Sequence, residues 1–423
     1  ETPVGRARNK KETIYCYSEA ARDAAMKKLG RGVEVTRFKG LGEISPGEFK
    51  AFIGKDMRLT PVDVRDQHHI PHLVSFYMGR NTPERRDYIM NNLVVEAEVE
   101  QLDMFANAAS AKPAAGGHTP PPDGGKLMVP APQVPGPLRD LMDGNFLNYA
   151  SYVIRDRAIP DLDDGLKPVQ RRILWSLHER DDGKFIKVAN IVGYCMQYHP
   201  HGDASIGDAL VALSNKGYLI EGQGNFGNLF TGDAAAAPRY IECRLTPLAR
   251  EHLFHDDLTE FVPSYDGRNQ EPVTLPCKLP VLLMLGAEGI AVGLSTRILP
   301  HNFVELIEAQ IAILQKKPFK LLPDFLQGGV LDASEYGKGN GKVRVRAVME
   351  KKGADKLVIR EIPFGTTTDS LIASIEDAAR KKKVKVKSIN DYTAEHIEID
   401  IALQPDEDAD KAMQALFAFT QCE

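Results

Sequence analysis

The chain has little of what would give it a covalent or membrane framework. Its five cysteines, Cys16, Cys195, Cys243, Cys277 and Cys422, are scattered among 423 residues. They form no CxxC pair and no metal-ligand spacing, so neither a disulfide scaffold nor a zinc site is indicated, and a reducing, cytoplasmic setting is expected. No signal peptide is legible, and the densest apolar run, Val281 to Leu285, is far too short to cross a bilayer. Positive charge is not in excess either: 53 Lys and Arg face 58 Asp and Glu, for a formal charge of -5. A uniformly basic nucleic-acid protein is thereby excluded, and any phosphate contact must come from local clusters. Residues 1 to 60 also lack an Asp-x-Asp pair, the kind of clustered carboxylate a hard cation needs.

What is present is globular in class, with 43% hydrophobic and 26% charged residues over a length that suits two or three domains. Thr13 to Tyr17 reads as a strand, Ala20 to Leu29 as a helix and Val33 to Phe38 as a second strand, an α/β alternation. It leads into Arg37-Phe38-Lys39-Gly40-Leu41-Gly42-Glu43, a turn in which backbone amides and Lys39 would face phosphate. From about 101 to 137 the composition shifts to Ala, Gly and Pro, which predicts a mobile linker.

Beyond the linker, Arg157-Ala158-Ile159-Pro160-Asp161 precedes Gly165-Leu166-Lys167-Pro168, where a helix starts with Lys167, Arg171 and Arg172 near its phosphate-favouring N-terminus. A second helix is predicted over about 202 to 214, opened by Tyr198-His199-Pro200-His201-Gly202-Asp203 with Asp203 as a candidate cap. Residues 184 to 194 join the two helices, which suggests a winged-helix version of helix-turn-helix. The second helix would approach the major groove with His199 and His201 near its start. Gly222-Gln223-Gly224-Asn225-Phe226-Gly227 matches the dinucleotide fingerprint in letters only, because no helix pattern follows it.

Ala234 to Tyr240 ends on Arg239-Tyr240. A phenol with a pKa near 10 is a poor nucleophile at neutral pH, and a fixed cation beside it favours phenoxide and receives developing negative charge. Further on, Val343 to Met349 and Leu357 to Ile362 alternate as strands, and Thr366 to Ala379 reads as a helix. Arg380 to Lys387 (RKKKVKVK) is expected to put charge on one face of a strand, and Asp406 to Asp410 to form an exposed turn.

Three motifs in one order, HPHGDASIGDAL (199 to 210), EGQGNFGN (221 to 228) and AAAAPRYIECRL (234 to 245), resemble the A subunit of bacterial type IIA topoisomerases, gyrase and topoisomerase IV. RAIPDLDDGLKPVQRRIL resembles that subunit's first basic segment, with Gln170 where the family often has histidine. RFKGLGE, with Asn9 to Thr13 before it, resembles the closing part of the TOPRIM domain of the B subunit, and 76 to 89 that subunit's tail. Two subunits are therefore expected in one α+β multidomain chain. It would comprise a TOPRIM remnant and B-subunit tail (1 to 100), a linker (101 to 137), a winged-helix breakage-reunion domain (138 to 275) and a β-rich partial tower (276 to 423).

The resemblance implies that Tyr240 attacks a DNA phosphodiester and stays joined to the 5′ phosphate, while Arg239 stabilises the transition state. Lys39, Arg157, Lys167, Arg171, Arg172, His199 and His201 would contact DNA, and Ile290 would wedge between base pairs and bend it. Ala204 and Asp208 fall at the family's drug-contact positions. Ala204 stands where gyrase commonly has a serine that holds the water and metal through which quinolones bind, so weaker poisoning is expected. Implied partners are double-stranded DNA, a second copy of the chain and the ATPase portion of the B subunit, near the nucleoid. Mg2+ would be held by carboxylates mostly upstream of this chain, which is expected to be a fragment, and ATP would drive gating in the complete enzyme. Two alternatives stay open: a gate fragment that binds and bends DNA without cleaving it, and a winged-helix regulator whose activity Tyr240→Phe would leave intact.

Overall fold

A computed structural model describes residues 3, 5–30, 33–37, 44, 46–53, 57–58, 70–80, 82–92, 137–353, 355–405 and 407–423. Lys39 with the rest of the KGLG turn, and residues 101–136 of the expected linker, lie outside them. The chain divides into two compact units, Glu1–Ile159 with Gly289–Thr296, and Pro160–Glu288 with Arg297–Glu423.

In the first unit, strands β1 (Gly5–Arg8), β2 (Thr13–Cys16) and β3 (Glu34–Arg37) form an antiparallel sheet in the order β2-β1-β3, with helix α1 (Glu19–Leu29) between β2 and β3 in sequence. The Ser18 hydroxyl starts α1 by accepting from the Ala21 amide at 3.1 Å, and Ala25 packs on Ala7 and Cys16. Helices α2 (Pro46–Ile53), α3 (Ile70–Met78) and α4 (Thr82–Asn92) follow, and then α5 (Pro137–Val153). Leu73, Phe76 and Tyr77 bury themselves with Tyr88, Met142 and Phe146. The hydroxyls of Tyr77 and Tyr88 both donate to the Asp143 carboxylate, and burial pushes that carboxyl above its usual range. Thus the segment expected to open the domain at 138 packs with helices from the expected B-subunit tail, because its aromatic and apolar partners lie there.

The second unit has two cores. Helices α6 (Pro168–Glu179), α7 (Val188–Cys195) and α8 (Asp203–Ser214) surround one of them, with strands β4 (Ile186–Lys187), β5 (Ile220–Gln223) and β6 (Glu242–Leu245) paired antiparallel in the order β4-β6-β5. Segment 184 to 194, expected to be a connection, is thus a short strand and a third helix. Val188, Ile191, Val192 and Cys195 recur at helical spacing and are all buried, each apolar side chain of this size contributing about 1.5–3 kcal/mol. Short elements follow: α9 (Pro247–His252), β7 (Phe261–Pro263), β8 (Gln270–Pro272), α10 (Val281–Leu285), β9 (Ala287–Ile290), β10 (Ser295–Ile298) and α11 (Phe303–Leu314). Val281, Met284, Leu285 and Leu306 belong to this first core, so the cores part well beyond the boundary expected at 276.

After β11 (Val330–Asp332) and β12 (Arg344–Arg346), the second core forms between the sheet β13-β14-β16-β15 and two helices. These are β13 (Val348–Lys351), β14 (Lys356–Glu361), α12 (Thr368–Arg380), β15 (Val386–Asp391), β16 (Ile399–Leu403) and α13 (Ala409–Phe419). The strand expected over 343 to 349 is broken at Ala347, whose amide turns to the Cys422 carbonyl, and its halves join different sheets. The lysine-rich run is not a charged strand face either. Lys382 ends α12 in the left-handed region (φ 59) and Lys383 N donates back to Ala378 O, so most of the run is a helix cap and turn. Asp408, expected in a turn, instead caps α13 by accepting from the Lys411 amide.

Candidate functional site

The turn carrying Tyr240 is held from below by the start of α7. The first amides of a helix lack partners within it. Here Val188 N donates to Ile241 O and Ala189 N to Pro238 O, each at 3.0 Å, while Tyr240 N closes the turn onto Ala237 O at 2.9 Å. Ile241 is buried at 1% exposure and anchors the turn, and Tyr240 is thrown outward at 64%. An aromatic serving as packing would be covered; this one is not. The Arg239 guanidinium lies over its ring, 4.5 Å from the centroid, an arrangement that keeps a permanent cation beside the phenol.

A residue outside the sequence motifs completes the turn. Lys187 donates from Nζ to the Tyr240 carbonyl at 3.2 Å and pairs with Glu242 at 2.9 Å. Its position follows from the β4–β6 register, which sets Lys187 opposite Glu242. The signal that could have found it is Phe185-Ile186-Lys187-Val188, an apolar and cationic alternation running into a helical pattern.

The histidine motif is folded inward at its first residue. His199 is buried, and its Nδ1 lies 3.0 Å from Arg172 Nη1. A guanidinium only donates, so Nδ1 is the acceptor and the ring proton sits on Nε2. The half-buried His201 ring meets His199 edge-on at 4.7 Å between centroids. Asp203 does not cap α8; Gly202 occupies the cap and Asp203 begins the helix, where its charge suits the positive end of the dipole.

Two of the residues expected at DNA, Arg171 and Arg172, are paired with carboxylates within the protein. Asp164, with no exposed surface, accepts Arg171 Nε at 2.6 Å and Nη2 at 3.0 Å, and it also accepts the amides of Leu166 and Leu275 at 2.9 Å. Arg171 is 7% exposed and is the strut of this network. Arg172 is forked onto Glu271, with Nη2 3.0 Å from Oε1, and positions His199. Lys167, in contrast, is half-buried and donates from Nζ to the Glu288 carbonyl at 2.7 Å. Partial burial lowers the lysine pKa, partly opposed by the Glu288 charge. Gln170, in place of the family's frequent histidine, accepts the Lys167 amide at 2.9 Å and so caps α6.

Ala204 and Asp208 stand one turn apart on the exposed face of α8. They line a groove of about 870 Å3 whose opposite wall is the backbone from Ala234 to Pro238, immediately before Arg239. The glycine-bearing loop closes this wall: Phe226 plugs the core and Ala236 N donates to Asn225 O at 2.9 Å. In the first unit, Arg157 is exposed on a π-helical turn, Ile154–Ala158, and Ile290 is 78% exposed at the end of β9. A Cβ on Gly289 would lie 2.2 Å from the Ala158 carbonyl oxygen, so only glycine lets the strand bearing Ile290 press against the turn bearing Arg157.

Among the described residues no group of three or more His, Cys, Asp or Glu side chains is disposed to hold a metal ion, and no helix is long and apolar enough to cross a membrane. All five cysteines are free thiols, and burial pushes Cys195 up to about 11 and Cys243 up to about 12.

Comparison with known proteins matches residues 157–423 to the A-subunit family of DNA gyrase/topoisomerase IV, and residues 30–90 to the carboxyl terminus of the DNA gyrase B subunit. The DNA topoisomerase 4 A subunit of Borreliella burgdorferi is 54% identical over 286 residues, covering 68% of this chain and 46% of that protein. The DNA gyrase A subunit of a Nocardioides species is 41% identical over 316 residues, covering 67% and 34%. The gyrase A subunit of Staphylococcus aureus is 38% identical over 300 residues, covering 64% and 34%. The chain spans less than half the length of these relatives.

Proposed function

The chain belongs to the A-subunit family of DNA gyrase/topoisomerase IV, with a gyrase B carboxyl-terminal segment ahead of it, and from that membership we propose that it is the DNA-gate portion of a type II topoisomerase with Tyr240 as its nucleophile. The observation that carries this reading is the exposed Tyr240 on a turn pinned at both ends, with Arg239 over its ring. The phenol loses its proton and its oxygen attacks the phosphorus of a DNA phosphodiester. The bond from phosphorus to the 3′ oxygen breaks, that oxygen leaves as a protonated hydroxyl, and the 5′ phosphate remains on Tyr240. Attack by the same hydroxyl reverses the step, so resealing needs no external energy. Arg239 offers charge to the developing phosphoryl oxygens, a role worth roughly 10²–10³ in rate for a single well-placed donor.

We read helices α6 to α8 with the β4-β6-β5 sheet as a winged helix, and the second core with β11 and β12 as a tower. Lys167, Arg157, His201 and the exposed Ile290 are the residues we assign to DNA, with Ile290 as the bending wedge. A homodimer would set two Tyr240 turns on opposite strands, and passage of a second duplex would draw on the ATPase portion of a B subunit. Magnesium is expected to be held by carboxylates outside the described residues, which do not fit it by themselves. A cytoplasmic, nucleoid-associated protein is implied. The second reading, binding and bending of DNA without cleavage, draws on the lack of a fitting ligand set among the described residues.

End-labelled duplex DNA incubated with the chain and magnesium, with and without the upstream B-subunit portion, and run on a denaturing gel tests both readings. A protein-linked band that Tyr240→Phe abolishes supports the nucleophile; a band that survives the substitution sinks it. A band only with the upstream portion assigns the metal ligands to that portion.

A further inference from the structure

A second cavity, of about 1100 Å3, lies in the second unit and shares no lining residue with the groove beside the Tyr240 turn. Its volume is a little above the roughly 300–1,000 Å3 typical of small-molecule sites. One wall is the loop Lys338-Gly339-Asn340-Gly341-Lys342, and the lining also includes Arg297, Arg344, Tyr336 and Phe364. The four cations on its lining outnumber its carboxylates. Glu423 is taken by Arg346, and Arg344 has an acidic neighbour, Asp332, opposite it across β11 and β12. Lys338, Lys342 and Arg297 are exposed and enter none of the ion pairs formed among the described residues.

The backbone of the loop fixes where these side chains stand. Tyr336 is right-handed (φ -62, ψ -35) and Gly337 left-handed (φ 52), and the amides of Tyr336, Gly339, Asn340, Gly341 and Lys342 are donated to neighbouring carbonyls, so the charge the loop offers comes from its lysines. Lys338 itself is held in the left-handed region (φ 57), which a residue with a side chain rarely adopts and which surrounding structure must impose. Glu335 O accepts the Lys342 amide at 2.9 Å and Tyr336 O accepts the Gly339 amide at 3.0 Å, so the loop is closed on itself before any ligand arrives. Phe364, stacked on Phe325 with centroids 4.6 Å apart, gives the cavity a fixed aromatic edge.

We propose that this cavity binds a nucleoside polyphosphate, the phosphate chain lying on the Lys338–Lys342 loop and Arg297, and the base against Phe364. The unpaired cations define a polyanion site; the aromatic edge and the volume select a ligand with a base over a bare anion. The phosphate chemistry is shared with a DNA backbone, so the test separates the two.

Calorimetric titration of the 423-residue chain with ATP, with inorganic tripolyphosphate and with a short duplex is the experiment. Expected are one ATP site, weaker binding of tripolyphosphate, and at least tenfold loss of both in a Lys338→Ala, Lys342→Ala double variant whose unfolding midpoint is unchanged. Phe364→Ala should weaken ATP several-fold and leave tripolyphosphate alone. No ATP binding at millimolar concentration, ATP binding indifferent to the double substitution, or a loss confined to duplex affinity would each overturn the proposal.

Discussion

Two clusters of cations in the second unit look alike in sequence and behave in opposite ways. Arg171 and Arg172 start a helix beside Gly165-Leu166-Lys167-Pro168, and Lys187 and Arg239 sit by a short strand and a turn. Arg171 is sunk onto a carboxylate with no exposed surface, and Arg172 is forked onto Glu271. Arg239 lies exposed over an exposed phenol, and Lys187 spans a carbonyl and a half-exposed carboxylate. The difference lies in what each charge has given up. A desolvated guanidinium must keep its partner, because the charge left alone would be stranded in a poor solvent, whereas an exposed one loses little until a substrate arrives. Position at a helix start does not distinguish these cases; burial does.

Removing a strut should therefore cost stability, and removing an open cation should cost chemistry. The largest effect is expected for Arg171→Ala, which leaves Asp164 buried and unpaired: a loss of about 3–5 kcal/mol in urea unfolding, with the salt dependence of DNA binding by the folded fraction unchanged. If the stability holds and the slope of log affinity against log salt falls by about one, Arg171 is a phosphate contact after all.

Arg239→Ala should do the reverse. Cleavage complex formation, measured with the upstream B-subunit portion supplied, should slow by about 10²–10³, while the unfolding free energy stays within about 0.5 kcal/mol. A stability loss matching the rate loss would erase the contrast between the clusters.

Asp181 lies between these extremes. Arg250 binds both its oxygens, at 2.6 and 2.9 Å, on a half-buried face. Burial by itself would raise the carboxyl pKa, but the bonds from Arg250 and the Gly183 amide and the nearby positive charges outweigh it, and the net shift is downward from 3.8. A depressed carboxyl stabilises the folded state fully above 3.8 and loses that contribution as pH falls through its lower folded value. Asp181→Asn is thus expected to cost about 1.5–3 kcal/mol at pH 7 and progressively less below pH 4. A constant penalty across that range would mean that shape, not charge, is what the pair supplies.

Much of the fold was legible because it rests on periodicity. Thr13 to Cys16, Ala20 to Leu29, Pro168 to Glu179 and Leu357 to Glu361 adopt the expected elements, and Cys16, Ala25, Ile173 and Leu357 are among the apolar residues they bury. Misreadings arose where a tertiary partner decides. Val343 to Met349 alternates as one strand should, yet Ala347 leaves the ladder for the Cys422 carbonyl, a partner more than seventy residues away. The segment around Lys187 hides a strand of two residues, too short to show a period. At the site, the motif order pointed to Tyr240 and Arg239, and their exposure is compatible with it. Which of the flanking cations were spent on Asp164 and Glu271 could not be read from spacing, since Glu271 approaches from far along the chain and the nearby Asp164 is one of three aspartates, with Asp161 and Asp163, any of which the spacing would allow.

A smaller test bears on a position with no charge at all. Ala204 stands exposed in the first turn of α8, facing the groove that leads to Arg239, and Asp208 stands one turn along the same wall. A serine there adds one hydroxyl without disturbing packing, since the methyl group it replaces touches no core. If quinolones reach this groove through a water held at that position, the hydroxyl adds one hydrogen bond of about 1 kcal/mol to the drug-bound state and none to the drug-free one. Ala204→Ser should then lower the drug concentration for half-maximal cleavage complex about fivefold, with cleavage in the absence of drug and the unfolding midpoint unchanged. Equal concentrations for both forms would remove the groove wall from drug recognition and leave Ala204 a surface residue of a helix. A shift accompanied by faster drug-free cleavage would place the effect on the Tyr240 turn across the groove instead.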